Sequence, residues 1–331
     1  MTVNQTLERV IRKHDTRAPA AEVFGLGKTY PSGTVALREL SLSVGDREIF
    51  GLLGPNGAGK STSIGILTTL VRPTAGSAFV DGIDVRRDPL GVRRRIGVVF
   101  QDSVLDNEFS VIENLRLHAR LWGMQSDHAE ARIASLLGQL GLANRAEDGV
   151  RTLSGGLRRR VEIARGVLAN PRVLFLDEPT VGLDPAVRAE IWRLVRDLRD
   201  HEGVTVILTT HYLEEAESVC DRVGILHRGT LAALDRPGAL IDQLGAFVLE
   251  LRTVGGVDAL LDALVGAHLA KHTPVVAAGV VSLASDRPRD ELAAAAAVLQ
   301  AERPEITAAA VRPTTLSDVY QHLTGDAEAT Q

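Results

Sequence analysis

Residues 54–62 read Gly54-Pro55-Asn56-Gly57-Ala58-Gly59-Lys60-Ser61-Thr62 and follow the apolar run Ile49–Leu53. The spacing is that of the phosphate-binding P-loop, G-x-x-x-x-G-K-[ST]. A short apolar run closed by glycine reads as a buried strand, and Lys60 onward reads as a helix start, which is the context the motif needs. The glycines let the backbone curl so that its N–H groups face phosphate oxygens, and the helix start adds the positive end of its dipole. Lys60, expected on a solvated loop, brings a compact charge to the β/γ-phosphates, and the Ser61 hydroxyl can ligate Mg²⁺. Gly27-Lys28-Thr29 mimics the motif's tail, but Glu22 stands where its first glycine should be. Only residues 54–62 carry the signal.

Outward from this loop, Val173-Leu174-Phe175-Leu176-Asp177-Glu178 is a second apolar strand, and it ends in two acids. In open α/β sheets ligands gather at the C-terminal ends of strands. Asp177 is placed to hold Mg²⁺ directly or through water, and Glu178 to polarise an attacking water. Further strands are expected at Ile96–Phe100, Val204–Thr209 and Val223–Leu226, alternating with helices, which predicts an α/β fold with a mostly parallel sheet. From about 102 to 168 helical signals replace strand signals, with helices expected at Val111–Trp122 and Asp127–Leu140, so a helical insertion interrupts the core. Ser154-Gly155-Gly156 opens a helix at Leu157–Leu168 and offers a second anion site in a chain with one P-loop.

Composition bounds the rest. The chain has 331 residues, 45% of them hydrophobic, enough for one large domain and a smaller one. A net charge of −5 argues against a binder of nucleic acid that relies on a basic surface. The one cysteine, Cys220, excludes an internal disulfide and reads as buried filler. No run approaches the ~20 apolar residues that a spanning helix needs. Residues 1–21 form an arm with a short apolar stripe (Leu7, Val10, Ile11) and read as a flexible start. After about residue 244 the pattern becomes βαββαβ, which predicts a small ferredoxin-like α+β domain over 245–331. A last short helix carries Leu316, Val319, Tyr320 and Leu323 on one face, with Gly325 as its stop.

Over about residues 22–235 these motifs resemble the nucleotide-binding subunit of an ABC (ATP-binding cassette) transporter, in the family's order. The resemblance implies a P-loop NTPase cassette at 22–244, with a RecA-like core and a helical subdomain, that binds ATP and Mg²⁺ and hydrolyses the ATP. Tyr30 resembles the aromatic that stacks on adenine, Gln101 the Q-loop glutamine, Ser154-Gly155-Gly156 the signature, Gly182-Leu183-Asp184 the D-loop and His211 the switch histidine. Leu157 departs from the pattern, since many members have glutamine there. Carried over, Glu178, His211, Lys60 and Gln101 are the catalytic candidates, and Ser61, Gln101 and Asp177 the Mg²⁺ ligands. Residues 54–62, Tyr30, Asp177, Ser154 to Gly156 and Asp184 complete the nucleotide contacts. The resemblance further implies a head-to-tail pair of cassettes, a separate membrane permease and a place on the cytoplasmic face of a bacterial inner membrane. Leu316-Ser-Asp318-Val319-Tyr320-x-x-Leu323-Thr324-Gly325 is similar to the end of bacterial drug exporters of the daunorubicin-resistance type. The competing expectations are a non-transport ABC ATPase, which usually fuses two cassettes or inserts a long coiled coil, and an ATP-sensing partner cassette.

Overall fold

The computed structural model describes residues 19–325, apart from 256, 258, 259, 262, 263 and 265–268. Leu7, Val10 and Ile11 lie outside that range. These residues divide into two compact units, one running from 19 to 211 with 226–231 and one of 212–225 with the described residues from 232 to 325.

The first unit holds two sheets. β1 (Ala21–Thr29) and β2 (Val35–Val44) pair antiparallel, and the chain then enters β3 (Ile49–Leu53) and α1 (Lys60–Leu67). β4 (Ala75–Val80) takes the other edge of β1 and β5 (Ile83–Asp84) pairs with β4, which closes a four-stranded sheet of order β2-β1-β4-β5. The strands expected from the sequence do not include this antiparallel sheet. Its strands alternate poorly because β1 shifts register between Val23 and Leu26, again to Lys28 and again to Thr29; such irregularities break the period-two signal.

After α2 (Pro89–Arg93), β6 (Ile96–Val99) leads into the insertion, with α3 (Val111–Leu121), α4 (Ser126–Gln139) and α5 (Gly155–Val167). The chain returns in β7 (Val173–Asp177), α6 (Pro185–Glu202) and β8 (Thr205–Thr210). β3, β8, β7 and β6 lie side by side in that order, parallel throughout. Val173 to Leu176 are fully buried, as strands covered on both faces must be. Each such side chain contributes about 1.5–3 kcal/mol of apolar burial. The order β3-β8-β7 sets the C-terminal ends of three strands next to one another, and the P-loop, Asp177 and the residues after Thr210 leave from those ends.

Helix α5 lies against β6 with almost nothing between them. A Cβ on Gly97 would fall 2.0 Å from the Gly166 carbonyl oxygen, so only glycine permits the contact.

The second unit contains α7 (Leu213–Val219), most of β9 (Arg222–His227) and of β10 (Thr230–Asp235), and α8 (Pro237–Leu244). It continues with β11 (Phe247–Thr253), a helix whose described residues are Val257, Leu260, Leu261 and Leu264 (α9), β12 (Val275–Ala277), β13 (Val280–Ser285), α10 (Arg289–Glu302), β14 (Ile306–Pro313) and α11 (Leu316–Thr324). The antiparallel sheet runs β12-β13-β11-β14, which is the split-βαβ arrangement that the βαββαβ pattern predicts. Leu260, Leu264, Leu249, Leu251, Val281 and Leu283 pack into one core. The unit begins before the boundary at 245 read from the sequence, because it takes in α7 and α8. α11 packs on both of these helices, and the Leu316 N–H donates to Glu217 Oε2 on α7 at 3.0 Å.

Candidate functional site

The loop 54–59 closes around its own lysine. Lys60 opens α1 and is 6% exposed, which corrects the expectation of a solvated position. Its Nζ donates to the carbonyls of Gly54 at 2.7 Å and Pro55 at 3.2 Å, and lies 3.6 Å from Glu178 Oε1. Burial pushes the Lys60 ammonium below the usual lysine pKa, against the opposing pull of Glu178 and then Asp177. Gly59 caps the helix at φ 107°, and a Cβ there would fall 2.6 Å from both the Ala36 carbonyl and Leu37 Cδ2. No acid stands in the first turn of α1, so its unpaired N–H groups and dipole are available to an anion. Pro55, Asn56, Gly57 and Ser61 are exposed around this helix start, while Gly54, Ala58 and Gly59 are buried.

Glu178 is the centre of the cluster. It sits one residue past β7 at φ 50°, a left-handed conformation that costs a non-glycine residue on the order of 1–3 kcal/mol and gathers at functional sites. Its N–H donates to the Thr209 hydroxyl at 3.0 Å and the Thr209 carbonyl at 3.2 Å. The same hydroxyl donates to Asp177 Oδ1 at 2.5 Å. The second Glu178 oxygen, Oε2, lies 2.6 Å from His211 Nδ1, and His211 is exposed on its outer side. Lys60, Asp177, Glu178 and His211 are therefore one connected constellation. Thr209, fully buried, does not stand out in the sequence, because its strand Thr205-Val-Ile-Leu-Thr209-Thr210 carries three threonines; the signal was a hydroxyl two residues before His211.

The other expected residues fall in two further groups. The Tyr30 hydroxyl is 3.2 Å from Thr62 Oγ1 on α1, and Lys28 Nζ stands 4.9 Å from the Tyr30 ring centroid. The decoy Lys28 thus has a local task, with a further bond to the Arg72 carbonyl. Ser154 caps α5 by accepting from Leu157 N–H at 3.4 Å and is exposed, as is Gly155. Gly156 is buried, and a Cβ on it would fall 2.5 Å from Val187 Cγ1 on α6, so this glycine lets two helix starts approach. Asp184 caps α6 by accepting from Val187 N–H at 3.0 Å. None of the hydrogen bonds of Ser154, Gly155 or Gly156 reaches Lys60 or Glu178. Gln101 is exposed just beyond β6, with its carbonyl bonded to Arg159.

Ser61, Gln101 and Asp177 offer only hard oxygen donors, with a single carboxylate among them. That set suits Mg²⁺, which keeps several waters and takes few protein ligands.

Residues 37–181 match the family described as ABC transporter, and residues 152–215 match one described as an AAA domain of a putative AbiEii toxin in a type IV toxin–antitoxin system. The chain is 44% identical over 256 residues to the doxorubicin resistance ATP-binding protein DrrA of Mycobacterium tuberculosis, covering 76% of this chain and 77% of that one. It is 40% identical over 311 residues to the daunorubicin/doxorubicin resistance ATP-binding protein DrrA of Streptomyces peucetius, covering 92% of each. The Nod factor export ATP-binding protein I of Rhizobium meliloti is 41% identical over 309 residues, covering 92% of this chain and 88% of its own. Among solved structures, CbiO1 of Clostridium perfringens, part of an ABC transporter complex, matches with a TM-score of 0.64 at 29% identity, over 68% of this chain and 91% of that one. The cassette MJ0796, solved as a dimer bound to ADP and phosphate, matches at 0.59 and 29%, over 65% and 98%. Among the described residues no helix is long and apolar enough to cross a membrane. With the P-loop, the paired acids and the histidine gathered at neighbouring strand ends, this chain belongs to the ATP-binding subunits of ABC transporters and is an ATP-hydrolysing enzyme of that family.

Proposed function

We propose that the chain hydrolyses Mg²⁺-ATP in a site completed by a second cassette, and that the cycle drives export of a drug-like or lipophilic compound through a separate membrane subunit. The observation that carries this reading is the buried Glu178 carboxylate, held between Lys60 and His211 at a strand end beside the P-loop. Phosphate oxygens replace the Gly54 and Pro55 carbonyls as partners of Lys60, and the N–H groups at the start of α1 bind them further. Tyr30 offers its ring to the base. Glu178 takes a proton from the attacking water; His211, bonded to it through Nδ1, fixes its orientation and turns its other nitrogen toward the γ-phosphate. Mg²⁺, when bound by Ser61, Gln101 and Asp177, offsets charge on the phosphates.

Ser154 and Gly156 serve the partner's nucleotide, since Ser154 bonds within its own helix and Gly156 packs on the start of α6, and neither bonds to the chain's own P-loop. The dimeric MJ0796 structure supports pairing, and the names of the curated relatives support export. The cassette then works on the cytoplasmic face of the membrane, where its nucleotide is. Glu178→Gln tests the reading: ATP binding should persist while turnover falls ~10²–10⁴-fold. Wild-type turnover in that variant would remove Glu178 from the reaction. The export step is tested by dye or anthracycline retention in cells carrying the chain with its membrane subunit. Retention equal to that of cells with the Glu178→Gln chain would rule out a drug-like cargo.

A further inference from the structure

The loop that leaves β6 is gripped by the helical insertion at both ends. At its far end, Asn114 on α3 accepts from the Asp106 N–H at 2.8 Å and donates to the carbonyls of Asp106 and Ser110, each at 3.0 Å. At its near end stands Arg159 on α5, 7% exposed. Its Nη1 donates to the Phe100 carbonyl at 2.8 Å and to Glu162 Oε2 at 2.7 Å, and its Nη2 donates to the Gln101 carbonyl at 3.2 Å. Glu162, one turn on, is 4% exposed.

A buried ion pair is costly, and well-packed apolar residues of the same volume generally serve stability as well or better. Stability alone therefore does not account for Arg159. What apolar residues cannot supply is the fork of donors that spans two successive carbonyls. The backbone places that fork: Gly166 touches Gly97, and Arg159 lies seven residues earlier, two turns back on the same helix face, opposite the end of β6.

We propose that Arg159 is a positioning residue that ties the Gln101 loop to the helix capped by Ser154. The side chain of Gln101 is then set by the place of α5, and a phosphate drawn onto Ser154 carries Gln101 with it. The inference rests on the reading of Gln101 as a nucleotide-site residue.

The test uses the full-length chain with the pair Arg159→Met and Glu162→Met together, which leaves no unpaired buried charge. In the nucleotide-free protein, hydrogen exchange over residues 100–105 should quicken ~10-fold or more, because the loop opens locally, while β7 and β8 keep their protection. Turnover should fall ~10–100-fold, as for a misplaced positioning group, with ATP affinity measured without Mg²⁺ within about twofold of the parent. Gln101→Ala added to this pair should cost no more than Gln101→Ala alone, since both act through one side chain. Arg159→Lys, which keeps the charge beside Glu162 but cannot span both carbonyls, should quicken the loop's exchange in part and provides the test if the double variant fails to fold. Loop exchange at the parent's rate in either folded variant, or losses that multiply with Gln101→Ala, would overturn the proposal. Faster exchange together with full turnover in Gln101→Ala overturns the site reading instead and leaves the clamp standing.

Discussion

Glu178 Oε2 lies 2.6 Å from His211 Nδ1, and this contact joins the residue after β7 to the residue after β8. The two are 33 residues apart in sequence and meet because β7 and β8 are adjacent and parallel. A carboxylate oriented by an imidazole loses more than a partner when the imidazole goes, because it can then swing toward Lys60, 3.6 Å from its other oxygen. His211→Ala is therefore expected to lower kcat by ~10–10³-fold while KM for ATP changes little, within the range for a group that orients a general base. Steady-state ATPase assays check this. Combining His211→Ala with Glu178→Gln should give no further loss, and a multiplicative loss would mean that the two act separately.

The lowered pKa of Lys60 carries a second expectation. The fold holds this ammonium less favourably than water does, since desolvation outweighs Glu178 and Asp177. In the nucleotide-free chain Lys60 is therefore a local weakness that phosphate relieves. Lys60→Met should abolish ATP binding, yet leave the urea midpoint of the nucleotide-free protein equal to the parent's or higher. A lower midpoint would show that its bonds to Gly54 and Pro55 stabilise the empty loop on balance.

Much of this site was legible before the fold because its residues sit where the chain leaves a strand. Gly54 to Thr62, Asp177, Glu178 and His211 each follow an apolar run, and apolar runs are what periodicity reports best. Lys60 and Thr209 show the limit. The motif names a lysine but not its burial, and a threonine inside a β-branched strand looks like any strand former until its hydroxyl is seen bonded to Asp177. The antiparallel sheet was illegible for another reason: the irregular pairing of β1 and the two-residue length of β5 leave no alternation to read. Arg159 was hidden among the arginines 158–160, where a biased composition of 33 arginines (37 basic residues less Lys13, Lys28, Lys60 and Lys271) masks the one that is buried. At the end of the chain the sequence shows a helix with an apolar face, but not its lock. Arg312 bonds both oxygens of the buried Asp318, each at 2.7 Å, and also Glu250.

A pH dependence should arise far from the nucleotide. His118 on α3 accepts from Trp122 Nε1 at 2.7 Å through its Nε2, which requires the neutral ring. Burial, then the nearby Arg165, lowers its pKa from 6.5 to about 4. The unfolded chain thus takes up a proton below pH 6.5 that the folded chain refuses until about pH 4. Stability from this group is complete above pH 6.5 and is lost as the pH falls through the window between the two values. At pH 5 the loss is at most about 2 kcal/mol by linkage. His118→Gln keeps an acceptor for Trp122 and removes the titration. Urea unfolding at pH 7 and pH 5 should show a smaller pH effect in that variant than in the parent, and equal pH effects would reject the assignment.

The arrangement of Ser154 supports the strongest expectation, that each ATP is worked on by two chains. Ser154 is exposed at the start of α5, its side chain bonded only to its own helix, while Lys60 and Glu178 form their cluster without it. Lys60→Ala removes the phosphate-binding charge from one face of a composite site. Ser154→Arg places a bulky side chain where the partner's γ-phosphate would lie on the other face. Each variant alone should be inactive, because in a symmetric pair both sites carry the defect. When the two are mixed, heterodimers hold one site with both defects and one with neither. Random pairing makes half the dimers mixed, each with one intact site of two, so activity should recover to about a quarter of the wild-type rate if a single site suffices. The mixing belongs in the assembled complex with the membrane subunit, where pairing does not depend on weak contacts between free cassettes. A monomeric enzyme would show no recovery, and its rate per chain would not change with protein concentration. Recovery in the mixture, with no activity in heterodimers that pair a doubly substituted chain with a wild-type chain, would fix the pairing as head to tail, because each site of those heterodimers then carries one defect.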